Sequence, residues 1–227
     1  DAASWVRMAD VNRRLGNVSE AEENIRTAAS IEPENSDIAI QEIEFLINQG
    51  QYKEAAEKAE NKIHENGDHP EFRIMLARSR AKLGNFDRAL EVLSDDNEKI
   101  VKDPALGIEY LKIKRDRDGI EKTLPELIQL AEQQPEHPEV LKTLTDWLIQ
   151  TNRLAEAQEA AQTIVRILPD SAEVHLMLGR LQRVKGQLDQ AIAHLSDAIA
   201  HNPDLIDAYI ELGKTYQDRR DLEEAIK

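Results

Sequence analysis

The 227 residues include no cysteine, and only nine glycines, eight prolines and 4% aromatics. Without Cys there is no disulfide framework, no thiolate nucleophile and no Cys-based zinc site. The absence leaves the compartment open, because a cysteine-free chain tolerates reducing and oxidising surroundings alike. Gly and Pro stand at roughly 4% each, below their usual ~7% and ~5%, so turns are few and short and the chain leans towards helix. Positive charge is scarce too: 29 Lys and Arg face 44 Asp and Glu, a net charge of −15. Such a field repels phosphate, which argues against a general nucleic-acid binder. No apolar run approaches the ~18 residues of a membrane span, so no membrane insertion is expected of this stretch. The sequence opens on Asp1 and stops at Lys227 inside a helical pattern. It therefore reads as a piece of a longer protein, and a soluble chain of this kind suits cytoplasm or periplasm equally.

What is present is a repeat. Ala21, Ala55, Ala89, Ala157, Ala191 and Ala225 lie on one grid with a 34-residue step, and Thr123 fills the remaining slot. An apolar residue comes three places earlier: Val18, Tyr52, Phe86, Ile120, Leu154, Leu188 and Leu222. Five places earlier stands a turn former, Gly16, Gly50, Gly84, Asp118, Asn152 or Gly186, with Arg220 the exception. Pro33, Pro135, Pro169 and Pro203 follow twelve places later. Apolar residues spaced by three and four, as from Val174 to Leu181, predict an amphipathic helix. The turn former closes it with a left-handed cap and a second helix follows, ended by proline. Small residues at the Ala positions let the two helices approach closely. One such pair cannot bury both of its apolar faces, so the units must stack into a solenoid.

These residues resemble the tetratricopeptide repeat family. The best copies read Leu178-Gly179, Gly186, Leu188, Ala191, Leu195, Ala198, Pro203 and Trp5, Ala9, Gly16, Ala21, Ile25, Ala28, Pro33. The resemblance implies an all-α fold, a right-handed superhelical solenoid of antiparallel helix pairs. It covers residues 1–227 as one array, with units starting near 2, 36, 70, 104, 138 and 172 and a truncated one at 206. An irregular junction is expected over 94–125. The Ser94-to-Asn97 cluster competes with helix through side-chain hydrogen bonds, and Pro125 fits only in the first turn of a late-starting helix.

Chemistry is harder to find. His64, His69, His137, His175, His194 and His201 form no pair with metal-ligand spacing, and they read as solvated surface histidines. No glycine-rich phosphate loop and no serine nucleophile elbow is present. No catalytic residue, metal or cofactor is expected, and the chain reads as non-catalytic.

The resemblance does imply a binding surface, since the first helix of each unit in this family lines a concave groove. Carried over by unit position, this gives Arg78, Lys82, Lys112 and Arg115 in the middle of the groove, and Arg180, Arg183 and Lys214 as a second group. Beside them run the aliphatics Ile74, Ile108, Leu176 and Ile210. Basic residues flanking an apolar strip suit a protein or peptide with acidic and apolar side chains. Alternatively these cations only solubilise a helix face by pairing with Glu71, Asp116 or Glu173. The family's carboxylate clamp for chaperone tails is not matched: its places hold Val6, Asp10, Gln41, Glu71 and Met75.

The expected function is a protein–protein interaction scaffold, in the setting of bacterial envelope or secretion assembly. The alternative is the substrate-recruiting arm of a larger enzyme such as a glycosyltransferase. RNA binding by the related 35-residue repeat fails on both spacing and charge. Self-association through the exposed terminal repeat is a further expectation.

Overall fold

The computed structural model describes residues 1–66, 69–94 and 103–220, and these hold thirteen α-helices and no strand. They fall into two compact units, one of residues 1–117 and one from residue 118 onward. The first unit contains α1 (Ala2–Arg14), α2 (Val18–Ile31), α3 (Ser36–Asn48), α4 (Tyr52–Asn66), α5 (Pro70–Lys82), α6 (Phe86–Leu93) and α7 (Pro104–Asp118). The second contains α8 (Ile120–Gln133), α9 (Pro138–Gln150), α10 (Leu154–Ile167), α11 (Ala172–Val184), α12 (Leu188–His201) and α13 (Ile206–Arg219). Odd-numbered helices start every 34 residues, at Ala2, Ser36, Pro70, Pro104, Pro138, Ala172 and Ile206.

Local chemistry sets these boundaries. Asn35 caps α3 through the amides of Asp37 and Ile38, and Ser171 caps α11 through that of Val174. Proline takes the first turn of α5 and α9, where its missing N–H is no loss. Each pair then turns on one device. The Gly16 amide bonds the Arg13 carbonyl while the Asn17 amide reaches back to that of Asn12. The same two bonds recur at Gly50, Gly84, Asn152 and Gly186, five Schellman closures on one grid. The closing residue needs a left-handed backbone, which Asn152 adopts at φ 57° in place of glycine. Arg220, the apparent exception, also adopts it, at φ 65°.

The fourth repeat departs from the grid. Its left-handed residue is Gly119, at φ 92°, and not Asp118, which is still the last residue of a 15-residue α7. Pro125 does not sit in a first turn either. Helix α8 starts at Ile120 in register with its counterparts, and Pro125 is an interior residue of it. The proline removes the amide that would bond the Glu121 carbonyl, at an exposed position where water can take over. Pro125→Ala is therefore expected to stabilise the second unit by about 2 kcal/mol. That is the ~3 kcal/mol interior penalty less the up to ~1 kcal/mol that proline saves in the unfolded chain. Urea unfolding followed by helix content measures it. On the other side of the junction α6 has only eight residues, and Ser94 leaves it in an extended conformation. Asp96 and its neighbours through 102 lie outside the described residues, as do Leu222 and Ala225.

The core explains the stacking. Ala21, Ala55, Ala89, Thr123, Ala157 and Ala191 are at most 1% exposed, so the grid positions are where helices touch. Each cluster joins a pair and the first helix of the next repeat. Ile43, Ala55, Ala59 and Phe72 bring α3, α4 and α5 together, and Leu176, Leu195, Ala198 and Ala208 do so for α11, α12 and α13. No single pair buries its own apolar faces.

Candidate functional site

The expected groove cations come from odd-numbered helices, whose neighbours in the stack are other odd-numbered helices: α3 touches α5, and α11 touches α9 and α13. Side chains on this face therefore meet across repeats. In the first unit Arg78 donates from Nε and Nη2 to the two oxygens of Glu109 on α7, both at 2.8 Å. The Glu109 side chain is only 8% exposed. Its bidentate hydrogen bonds hold the Arg78 guanidinium above its ordinary value against the opposing effect of burial, with Glu44 of α3 adding attraction. Arg115 bonds its neighbour Asp116 at 2.9 and 3.2 Å. Lys82 is exposed and Lys112 half-buried, and neither has an ion-pair partner among the described residues.

The second unit differs. Arg180 approaches Asp207 at 3.4 Å and Glu211 at 3.7 Å. Arg183 reaches Glu211 at 3.3 Å and Asp218 at 2.9 Å, and Lys214 reaches Glu211 at 2.9 Å. Three cations meet three carboxylates, with Glu211 only 8% exposed at the centre. The group that reads as basic in sequence is a neutralised staple between α11 and α13.

The apolar strip is corrected as well. Ile74, Ile108 and Leu176 are 9%, 6% and 6% exposed, and Ile74 and Leu176 belong to the unit cores. Only Ile210 is open, at 48%, near the exposed Ile206 and Tyr209 of α13. The reason is geometric: a residue one turn from a groove cation on a helix packed on both sides points between helices, not out of them.

Sequence inspection names Asp116, which Arg115 does bond, among the pairing carboxylates, but overlooks Glu109 and Glu211. Arg78 and Glu109 are 31 residues apart, as are Lys142 and Glu173, so the partner lies one repeat on and three residues back. Arg180 and Glu211 follow the same rule. Glu139 and Glu173 hold the Lys142 ammonium above its ordinary value although burial opposes its charge. A second recurring tie, 30 residues long, joins Arg117 to Asp87 in the first unit and Arg219 to Asp189 in the second.

Two further features stand out. A cavity of about 650 Å³ opens in the first unit between α1, α2 and α3, lined among others by Val6, Asp10, Arg13, Arg14, Glu44 and Asn48. All six hold groove positions of the repeat. A hydrogen bond from Arg13, helped by Arg14, keeps the Asp10 carboxyl below its ordinary value. In the second unit His175, His194 and Asp197 converge, with ligand-capable atoms within 4.8 Å of one another. Burial and the adjacent His175 ring lower His194 from the ordinary imidazole value.

A repeat of this construction matches a known sequence family. The profile described as the second ARM domain of tetratricopeptide repeat protein 21 aligns with residues 6–218. The chain belongs to that family. Solved tetratricopeptide repeat structures carry the same fold. A protein from Parabacteroides merdae matches at a TM-score of 0.67 and 15% identity, over 94% of this chain and 84% of its own. TTC0263 from Thermus thermophilus matches at 0.54 and 14%, over 96% and 100%. A chain of the Cut9–Hcn1 hetero-tetramer of the APC/C matches at 0.56 and 17%, over 95% of this chain and 43% of its own. No curated protein matches the chain at a significant level. The tetratricopeptide-type fold is that of a protein-interaction scaffold and is generally non-catalytic. Among the described residues no helix is long and apolar enough to cross a membrane.

Proposed function

We propose that this chain is a non-catalytic scaffold that holds an acidic segment of a partner protein against α5 and α7 of its first unit. Lys82 and Lys112 make the charged contacts, and Arg115 stands beside them. Arg78 shapes the surface but is occupied by Glu109. The observation that carries the reading is the lack of ion-pair partners at Lys82 and Lys112, among the described residues of a chain with net charge −15. In so acidic a protein, two uncompensated ammonium groups on successive first helices, α5 and α7, are where an acidic partner gains most. Burial of Ile74 and Ile108 makes recognition electrostatic rather than anchored by apolar side chains. Arg180, Arg183 and Lys214 are committed to carboxylates of their own unit, so the proposed surface is confined to the first. The Cut9–Hcn1 assembly, where a similar fold sits in a protein complex, is in keeping with a protein partner. The partner's nature decides between envelope or secretion assembly and service as the recruiting arm of an enzyme.

An array of glutamate-rich peptides tests this. Wild type should bind a subset, with affinity falling as salt rises. Each charge reversal in Lys82→Glu and Lys112→Glu should weaken binding about tenfold, the loss of one charge-assisted contact of ~1.5 kcal/mol. Retained binding in the double variant sinks the proposal. Sedimentation of the same samples reads self-association through α13.

A further inference from the structure

Three of the four histidines of the second unit, His175, His194 and His201, lie together. His175, in the first turn of α11, meets His194 and Asp197, three residues apart on α12. The His175 and His194 ring centroids are 5.7 Å apart, and His201 stacks on His175 at 5.3 Å. Nε2 of His175 lies 3.1 Å from the carbonyl oxygen of Pro169. A carbonyl only accepts, so Nε2 carries the proton, and Nδ1 of the neutral ring holds the lone pair. That Nδ1 is buried and has no hydrogen-bond partner, and Asp197 Oδ2, at 3.7 Å, is too far to be one. Nδ1 of His194 is likewise buried and unpartnered. Buried polar atoms are nearly always paired, and two orphaned imidazole nitrogens beside one carboxylate call for a specific cause.

We propose that His175, His194 and Asp197 form a site for a divalent first-row transition ion, with zinc the ion expected. Each part of the arrangement fits that role. Two imidazoles and one carboxylate are a borderline donor set that suits zinc and its neighbours rather than magnesium or calcium. The Pro169 carbonyl fixes the His175 tautomer as an outer-shell acceptor does for a metal-bound histidine. The ligand atoms must draw in from 4.8 Å to roughly 3.4 Å, the spacing set by zinc–nitrogen distances of 2.0–2.1 Å. Asp197 makes this possible, since its side chain is 58% exposed and can swing inward. Water completes the coordination on that open side. The ion would tie the start of α11 to the second half of α12, next to the turn that opens the repeat, and so act as a clamp on one helix pair.

The chain, prepared without a polyhistidine tag, should bind one zinc ion in a calorimetric titration. Zinc should raise its melting temperature and EDTA should reverse the shift. Cobalt should give visible d–d absorption that zinc abolishes and magnesium does not. His194→Ala and Asp197→Asn should each weaken zinc at least about tenfold, since even outer-shell losses reach that size. His64→Ala and His137→Ala, remote from the cluster, should bind as wild type. Asp197→Asn keeps the test open if a histidine variant fails to fold, because the side chain is more than half exposed and asparagine keeps its shape. The proposal is overturned if zinc binding is not saturable, if it survives both His194→Ala and Asp197→Asn, or if His64→Ala or His137→Ala removes it.

Discussion

Gly179→Val is expected to destabilise the second unit by roughly 3 kcal/mol, at the upper end of overpacking effects. Gly179 lies inside α11 with an ordinary helical backbone, so glycine is needed there for space. A Cβ at this position would lie 2.5 Å from Cγ and 2.7 Å from Cδ2 of Leu195, and 3.3 Å from the Ala191 carbonyl oxygen. Leu195 and Ala191 are fully buried, so the leucine has no open space to retreat into and the carbonyl belongs to the α12 backbone. Even alanine meets opposing effects. It gains ~1 kcal/mol of helix propensity over glycine but incurs ~1–3 kcal/mol of overpacking. A net loss of about 1 kcal/mol follows for Gly179→Ala, and valine adds two methyl groups and a branched Cβ to that. Leu195→Ala should leave a cavity by itself and yet rescue part of the Gly179→Ala loss, because the two changes act on one contact. Urea melts of the four proteins measure the coupling. Stabilisation by Gly179→Ala would mean that α11 and α12 cross less closely than their contacts indicate.

Arg78→Ala should cost the first unit about 2 kcal/mol. Removing one partner of a fully buried ion pair costs ~3–5 kcal/mol, because the other charge is stranded. Here the stranded group is Glu109, 8% exposed, while Arg78 itself is 40% exposed, so solvent screening reduces the figure. Removing both, as in Arg78→Ala with Glu109→Leu, should return most of the stability. Arg78→Lys should recover only part, since an ammonium cannot fill both carboxylate oxygens in the planar bidentate manner. The same series separates structure from binding. Arg78→Ala should lower the unfolding midpoint and leave affinity for acidic peptides nearly unchanged once folding is corrected for. Lys112→Ala should do the reverse. A large binding loss in Arg78→Ala at constant stability would reassign that arginine to the contact surface.

Much of this was legible in advance because it is local. A left-handed residue every 34 positions, small residues between paired helices and proline after the second helix act through backbone conformation and immediate neighbours. The grid of Gly16, Gly50, Gly84, Asn152 and Gly186 thus marks the turns directly, and even Arg220 takes the left-handed conformation that its place in the repeat requires. The reading slipped in two opposite ways. At Pro125 it weighed a residue type against the register and the register won, whereas at Asp118 it followed the register and the neighbouring Gly119 took the left-handed backbone.

The surface followed other rules. Whether a lysine or arginine is available depends on a carboxylate one repeat away, and the charge count of a helix face does not contain that information. Arg78 and Lys112 hold the same position in successive units, yet one is clamped by Glu109 and the other has no ion-pair partner among the described residues. Ile74 and Ile108 look like a strip on a helical wheel, but packing on both sides of their helices takes them inward. His175 is 19 residues from His194, too far for any short motif, and only antiparallel pairing of α11 with α12 brings them together. The amino-acid sequence by itself determined the helices, their turns and their repeat, since each arises from contacts within about one turn of chain. Tertiary structure alone decided which charges are spent, which apolar groups are covered and which histidines meet, because those depend on distances between helices that the linear order leaves open.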